Sequence, residues 1–86
     1  MEAILETAII EMGRLSKGKS FSPEDVAKWM YPTSWEYFLE DVEETMMEMY
    51  RAGKIAVLQH DKAVATDVLP DGPVRIKLLS KTKSAW

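Results

Sequence analysis

Cysteine is absent from the 86 residues. The chain therefore has no disulfide framework and no thiolate nucleophile or thiolate metal ligand. Histidine is nearly absent, since His60 stands alone, and a His-rich metal site within one chain is excluded with it. No stretch approaches the roughly 18 apolar residues of a membrane span. The start, Met1-Glu2-Ala3-Ile4, leads with an acid and is followed by no small-residue cleavage site, unlike a secretory signal. These features set the expectation of a cytoplasmic protein with no membrane association. The glycines (Gly13, Gly18, Gly53, Gly72) are too scattered for a phosphate-cradling loop. Serine, His60 and Asp61 are present, but no G-x-S-x-G elbow accompanies them. No calcium-loop spacing occurs among the acids. The reading is of a non-enzymatic chain with no catalytic residues, metal, cofactor or small-molecule substrate.

What is present is an ordinary globular composition, 47% hydrophobic and 29% charged, enough for one domain with one modest core. The net charge is −3 but uneven. Residues 1–52 carry eleven acids and five bases, and residues 53–86 carry six bases and three acids. A partner would meet an acidic half at −6 and a basic half at +3.

Helical periodicity runs from Glu2 to about Leu15, with Ile4, Leu5, Ala8, Ile9, Met12 and Leu15 on one stripe. Ile10 is off that stripe. Gly18 suits a left-handed stop. A second, short helix is expected over about Pro23 to Met30. Ser22 caps it, Pro23 takes its first position and Asp25 completes a capping box. Val26, Ala27, Trp29 and Met30 are its inner candidates, and Pro32 breaks it. The longest helix follows, Trp35 to the capping Gly53, with Thr33 and Glu36 spaced as a second capping box. Phe38, Leu39, Val42, Met46 and Met49 form its apolar stripe. The period then changes to two. Lys54 to Gln59 reads as a strand, His60 to Gly72 as a loop, and Pro73 to Leu79 as a second strand with Val74, Ile76 and Leu78 inward.

Three helices followed by a hairpin, with a short strand near Lys19–Phe21, is the order of an α+β domain of the winged helix-turn-helix type. Residues 1–79 form the domain, and residues 80–86 are expected to be a flexible tail on which Trp86 could fold back.

The same residues carry a resemblance. Ser22-Pro23-Glu24-Asp25-Val26-Ala27, Trp35, Val42, Gly53-Lys54-Ile55-Ala56-Val57-Leu58-Gln59 and Gly72-Pro73-Val74-Arg75-Ile76 together resemble a small bacterial family of unknown function with a winged-helix-like fold. The likeness spans about residues 20–79. It departs at Glu43, where the family carries arginine, and at Asp61, where it carries glycine. The resemblance implies the fold and no activity.

Duplex DNA is the usual ligand of such a fold, read by the third helix and held by cations on phosphates. Here Glu36, Glu40, Glu44 and Glu48 follow one another at i+4, and only Arg51 is basic in that helix. Groove reading by it is disfavoured. The alternative for nucleic acid is a set of phosphate contacts from the wing, through Lys54, Lys62, Arg75 and Lys77, with a solvated face that protects the hairpin edge as the plainer reading. The leading expectation is a protein partner, or a second copy of the chain, docked on the outer stripe of the third helix. That stripe is Tyr37, Glu40, Glu44, Met47 and Arg51, spaced 3, 4, 3 and 4 apart. The plainer reading beside it is that Tyr37 and Met47 pack against a neighbouring loop or the first helix. The run Met46, Met47 and Met49, like Trp29 and Trp35, reads more plainly as core filler than as a ligand groove.

Overall fold

The structure is a computed structural model and describes residues 2–79. Helix α1 spans Glu2–Leu15, α2 Pro23–Met30 and α3 Trp35–Arg51. Strands β1 (Ile55–Gln59), β2 (Lys62–Ala63) and β3 (Arg75–Leu78) form one antiparallel sheet in the order β2-β1-β3. The domain is α+β, three helices followed by a small sheet whose hairpin stands as the wing. The expected tail, with Trp86, Lys81 and Lys83, lies outside the described residues.

Local chemistry sets most boundaries. Ser22 Oγ accepts from the Asp25 amide while the Asp25 carboxylate accepts from the Ser22 amide, and Pro23 opens α2. Such a cap contributes about 1 kcal/mol. Helix α3 stops where Gly53 turns left-handed at φ +80. The Gly53 amide donates to the Tyr50 carbonyl and the Lys54 amide to that of Met49, the paired bonds of a Schellman end.

One helix start and one turn differ from expectation. Ser34 rather than Thr33 precedes α3, and its side chain makes no cap. The turn before it is closed instead by backbone bonds from Ser34 to Tyr31 and from Tyr37 to Ser34. The first hairpin is also tighter than a long-tipped wing. His60 and Asp61 both take positive φ and form a two-residue turn between β1 and β2. Twist-matched hairpin turns need that conformation, and Asp and His tolerate it better than most residues. The long loop follows, over residues 64–74, and returns the chain to the other side of β1.

The core gathers Ile9, Phe21, Val26, Ala27, Val42, Met46, Met49, Ile55, Val57 and Ile76 from every layer. Each such large side chain contributes about 1.5–3 kcal/mol of transfer free energy. Phe21 joins the sheet by exchanging both backbone bonds with Ile76, so the expected short strand is a single bridge. Helix α1 presents Leu5, Ala8, Ile9 and Met12, with Ile10 half-buried beside them. Ile4 and Leu15 are turned outward, 62% and 66% exposed. They sit eleven residues apart on one edge of the stripe, beyond the reach of the packing surface. Gly13 faces β3 so closely that a Cβ there would stand 2.8 Å from the Leu78 Cβ. That contact docks the sheet on α1. Trp29, expected inside, is 48% exposed, because Val26 and Ala27 already fill the buried face of so short a helix.

Candidate functional site

The outer face of α3 does not form one surface. At its N-terminal end Tyr37 is 83% exposed, with Glu40 and Glu44 exposed beyond it. At its C-terminal end Met47 is 3% exposed and belongs to the core. The expectation of an open stripe through Met47 is therefore corrected: the stripe is split. The cause is the loop over residues 64–74, which folds back across this end. The Tyr50 hydroxyl donates to the Val64 carbonyl, and Arg51 Nη1 donates to the Thr66 carbonyl at 2.9 Å. Leu69 shares a cleft with Glu44, Met47, Glu48 and Arg51. Arg51 thus holds a loop rather than waiting for a partner. The signal for this lay in Val64 and Leu69, apolar side chains in a segment read as polar and small.

The open end continues onto α2 through an aromatic corner that the periodicity did not reveal. Five of the chain's eight aromatic residues fall within residues 29–38. Tyr31 stacks on Phe38 with centroids 4.0 Å apart and planes 21° apart. Tyr37 meets Phe38 edge to face at 5.2 Å. Lys28 Nζ lies 4.7 Å from the centroid of a Trp35 ring, within cation–π range. Trp35 and Phe38 are half-buried by these contacts and Tyr37 is left open. Among the described residues the ion pairs are Arg14–Glu11 and Lys54–Glu6. The acids of α3 therefore have no cationic partner among those residues.

A cleft of about 350 Å³ lies on the flank of α3. Ser22, Pro23 and Glu24 line one wall, Glu43 a second, and Gly72, Pro73 and Val74 a third. Gln59 Nε2 donates to the carbonyls of Asp71 and Pro73 and holds that third wall. Burial pushes the Glu43 carboxyl above its ordinary range, and the neighbouring Glu40 and Glu24 charges add to the rise.

A scan of known families decides the relationship. Residues 2–79 match the family described as protein of unknown function DUF3253. The chain belongs to that family. No curated protein matches it. In this DUF3253 domain the four wing cations do not act together. Lys54 Nζ is 2.7 Å from Glu6 Oε2 and ties β1 to α1. Arg75 donates to the Ser20 hydroxyl at 3.1 Å and to the Ser20 carbonyl at 2.9 Å, securing β3 beside the Phe21 bridge. Lys62 and Lys77 are exposed on β2 and β3, the two strands that flank β1. No helix of the domain is long and apolar enough to cross a membrane among the described residues.

Proposed function

We propose that this DUF3253 domain is a non-enzymatic interaction module. It binds another protein, or a second copy of itself, through the open end of α3, with Tyr37, Glu40 and Glu44 as the contact residues. The observation that carries the reading is Tyr37: a tyrosine 83% exposed on a helix whose inner face packs into the core, braced by Phe38 and bordered by exposed acids. Ordering such a side chain on binding costs little, because two torsions describe it and its neighbour already restricts them. Met47 and Arg51 support the surface from behind, through the core and the loop over residues 64–74.

The alternative, a DNA-binding or regulatory protein that contacts phosphates through the wing, retains Lys62 and Lys77. Lys54 and Arg75 are engaged in the fold. Two separated cations would give a small salt slope and weak affinity.

Sedimentation velocity across a concentration series, on wild type and Tyr37→Ala, tests self-association. Capture of partners on immobilised wild type and Tyr37→Ala tests the hetero-complex. Binding that depends on Tyr37 is the expected result. A monomer at every concentration whose captured proteins are indifferent to Tyr37 contradicts the proposal. Binding of random duplex DNA at low salt, lost in Lys62→Ala with Lys77→Ala, would transfer the function to the wing.

A further inference from the structure

From the aromatic corner and the acids beside it, we infer that the open end of α3 receives a guanidinium group, carried by an arginine-bearing segment of a partner protein. The inference rests on the interface reading above and names the chemistry of the occupant. Glu40 and Asp41 stand three and four residues after Tyr37, so their side chains share its surface at about 5–6 Å between Cβ atoms. Both are exposed, as is Glu44 one turn further on. None of the three has a cationic partner among the described residues. The site thus offers an open π face with carboxylates at its edge. A carboxylate-bearing or phosphate-bearing partner would be repelled there. A purely apolar partner would bury the acids without compensation, which is costly.

A cation satisfies both halves at once. The corner already shows this chemistry internally, since Lys28 covers the Trp35 ring at 4.7 Å while Tyr37 is 83% exposed. Arginine fits better than lysine. Its planar guanidinium stacks on a ring while its N–H groups pair a carboxylate bidentately, whereas an ammonium is a more strongly hydrated point charge. The stacked run Tyr31–Phe38 and the edge contact to Tyr37 keep the receiving ring in place before binding.

The test is an NMR titration of the isotope-labelled full chain at low ionic strength with hexa-arginine, hexa-lysine and hexa-citrulline peptides. Hexa-arginine is expected to shift the amides around Tyr37, Glu40, Asp41 and Glu44 most. Hexa-lysine should bind more weakly and hexa-citrulline not at all. Tyr37→Ala and Tyr37→Leu should each weaken hexa-arginine about fivefold, while Tyr37→Phe keeps its affinity. Tyr37 is exposed, so these variants fold. Equal shifts at the α1 acids Glu6 and Glu11, or an affinity unchanged in Tyr37→Leu, would reduce the effect to general charge attraction and overturn the inference. If hexa-citrulline shifts the same amides as tightly as hexa-arginine, the guanidinium assignment falls while the interface stands. Wild-type dimers that require Tyr37 would assign the surface to a second copy, overturning the hetero-partner with the same consequence.

Discussion

The two ends of α3 carry similar side chains at similar spacing on one outward stripe, yet they have opposite fates. Tyr37 is 83% exposed and Met47 is 3% exposed. Both are large apolar groups flanked by glutamates. The difference comes from what lies opposite. Tyr50 and Arg51 draw the loop over residues 64–74 onto the C-terminal end through its Val64 and Thr66 carbonyls. At the N-terminal end, Tyr31 in the turn from α2 stacks on Phe38, and Phe38 meets Tyr37 edge to face without covering it. A helix face is thus defined less by its own period than by the segment that folds back upon it.

Four substitutions break or sharpen the contrast. Met47→Ala removes a side chain from the core and is expected to cost about 2–5 kcal/mol, measured by denaturant unfolding. A cost below about 0.5 kcal/mol would mean that the loop does not close this end. Tyr50→Phe deletes the hydroxyl that holds Val64 and should cost about 1 kcal/mol. It should also speed hydrogen exchange at the Val64 amide, which donates to Val57 across the sheet. Glu43→Gln acts on the flank between the two ends. The folded state disfavours the Glu43 carboxylate, through burial first and then Glu40 and Glu24. Its folded pKa therefore lies above the unfolded one, and the folded state binds that proton more tightly. The penalty is full at neutral pH and disappears as pH falls through the raised value. Glu43→Gln should melt at a higher temperature than wild type at pH 7, with the gain shrinking on acidification. A gain that grows toward acid would contradict the sign. Tyr37→Ala should be the smallest in stability, within about 0.5 kcal/mol, while weakening partner binding.

Much of the fold was legible because its signals are local. The Ser22-Pro23-Glu24-Asp25 box and the Gly53 stop each act within a few residues, and α2 begins and α3 ends where they indicate. The alternation of Val74 and Ile76 correctly marked an inward face. What was not legible depends on distant partners. The His60–Asp61 turn lacks the Asn-Gly signature of such turns, and nothing near it in sequence announces that β2 will pair there. Ile4 and Leu15 have the right period, but α1 is longer than the surface it covers. Within the candidate site, Tyr37, Glu40 and Glu44 were readable as exposed. For Met47 the plainer reading, packing against a neighbouring loop, is the one that holds. The engagement of Arg51 was not legible, since it follows from a loop more than a dozen residues away in the chain.

The split face is tested most directly by hydroxyl-radical footprinting of the native protein, with modification quantified residue by residue. Methionine sulfur reacts at least as readily as a phenol, so free side chains would give Met47 the higher rate. The structure predicts the reverse, with Tyr37 modified rapidly and Met47 protected to the level of Met46 and Met49. Met47 modified as fast as Tyr37 would contradict it, and the outer face of α3 would be one open surface after all.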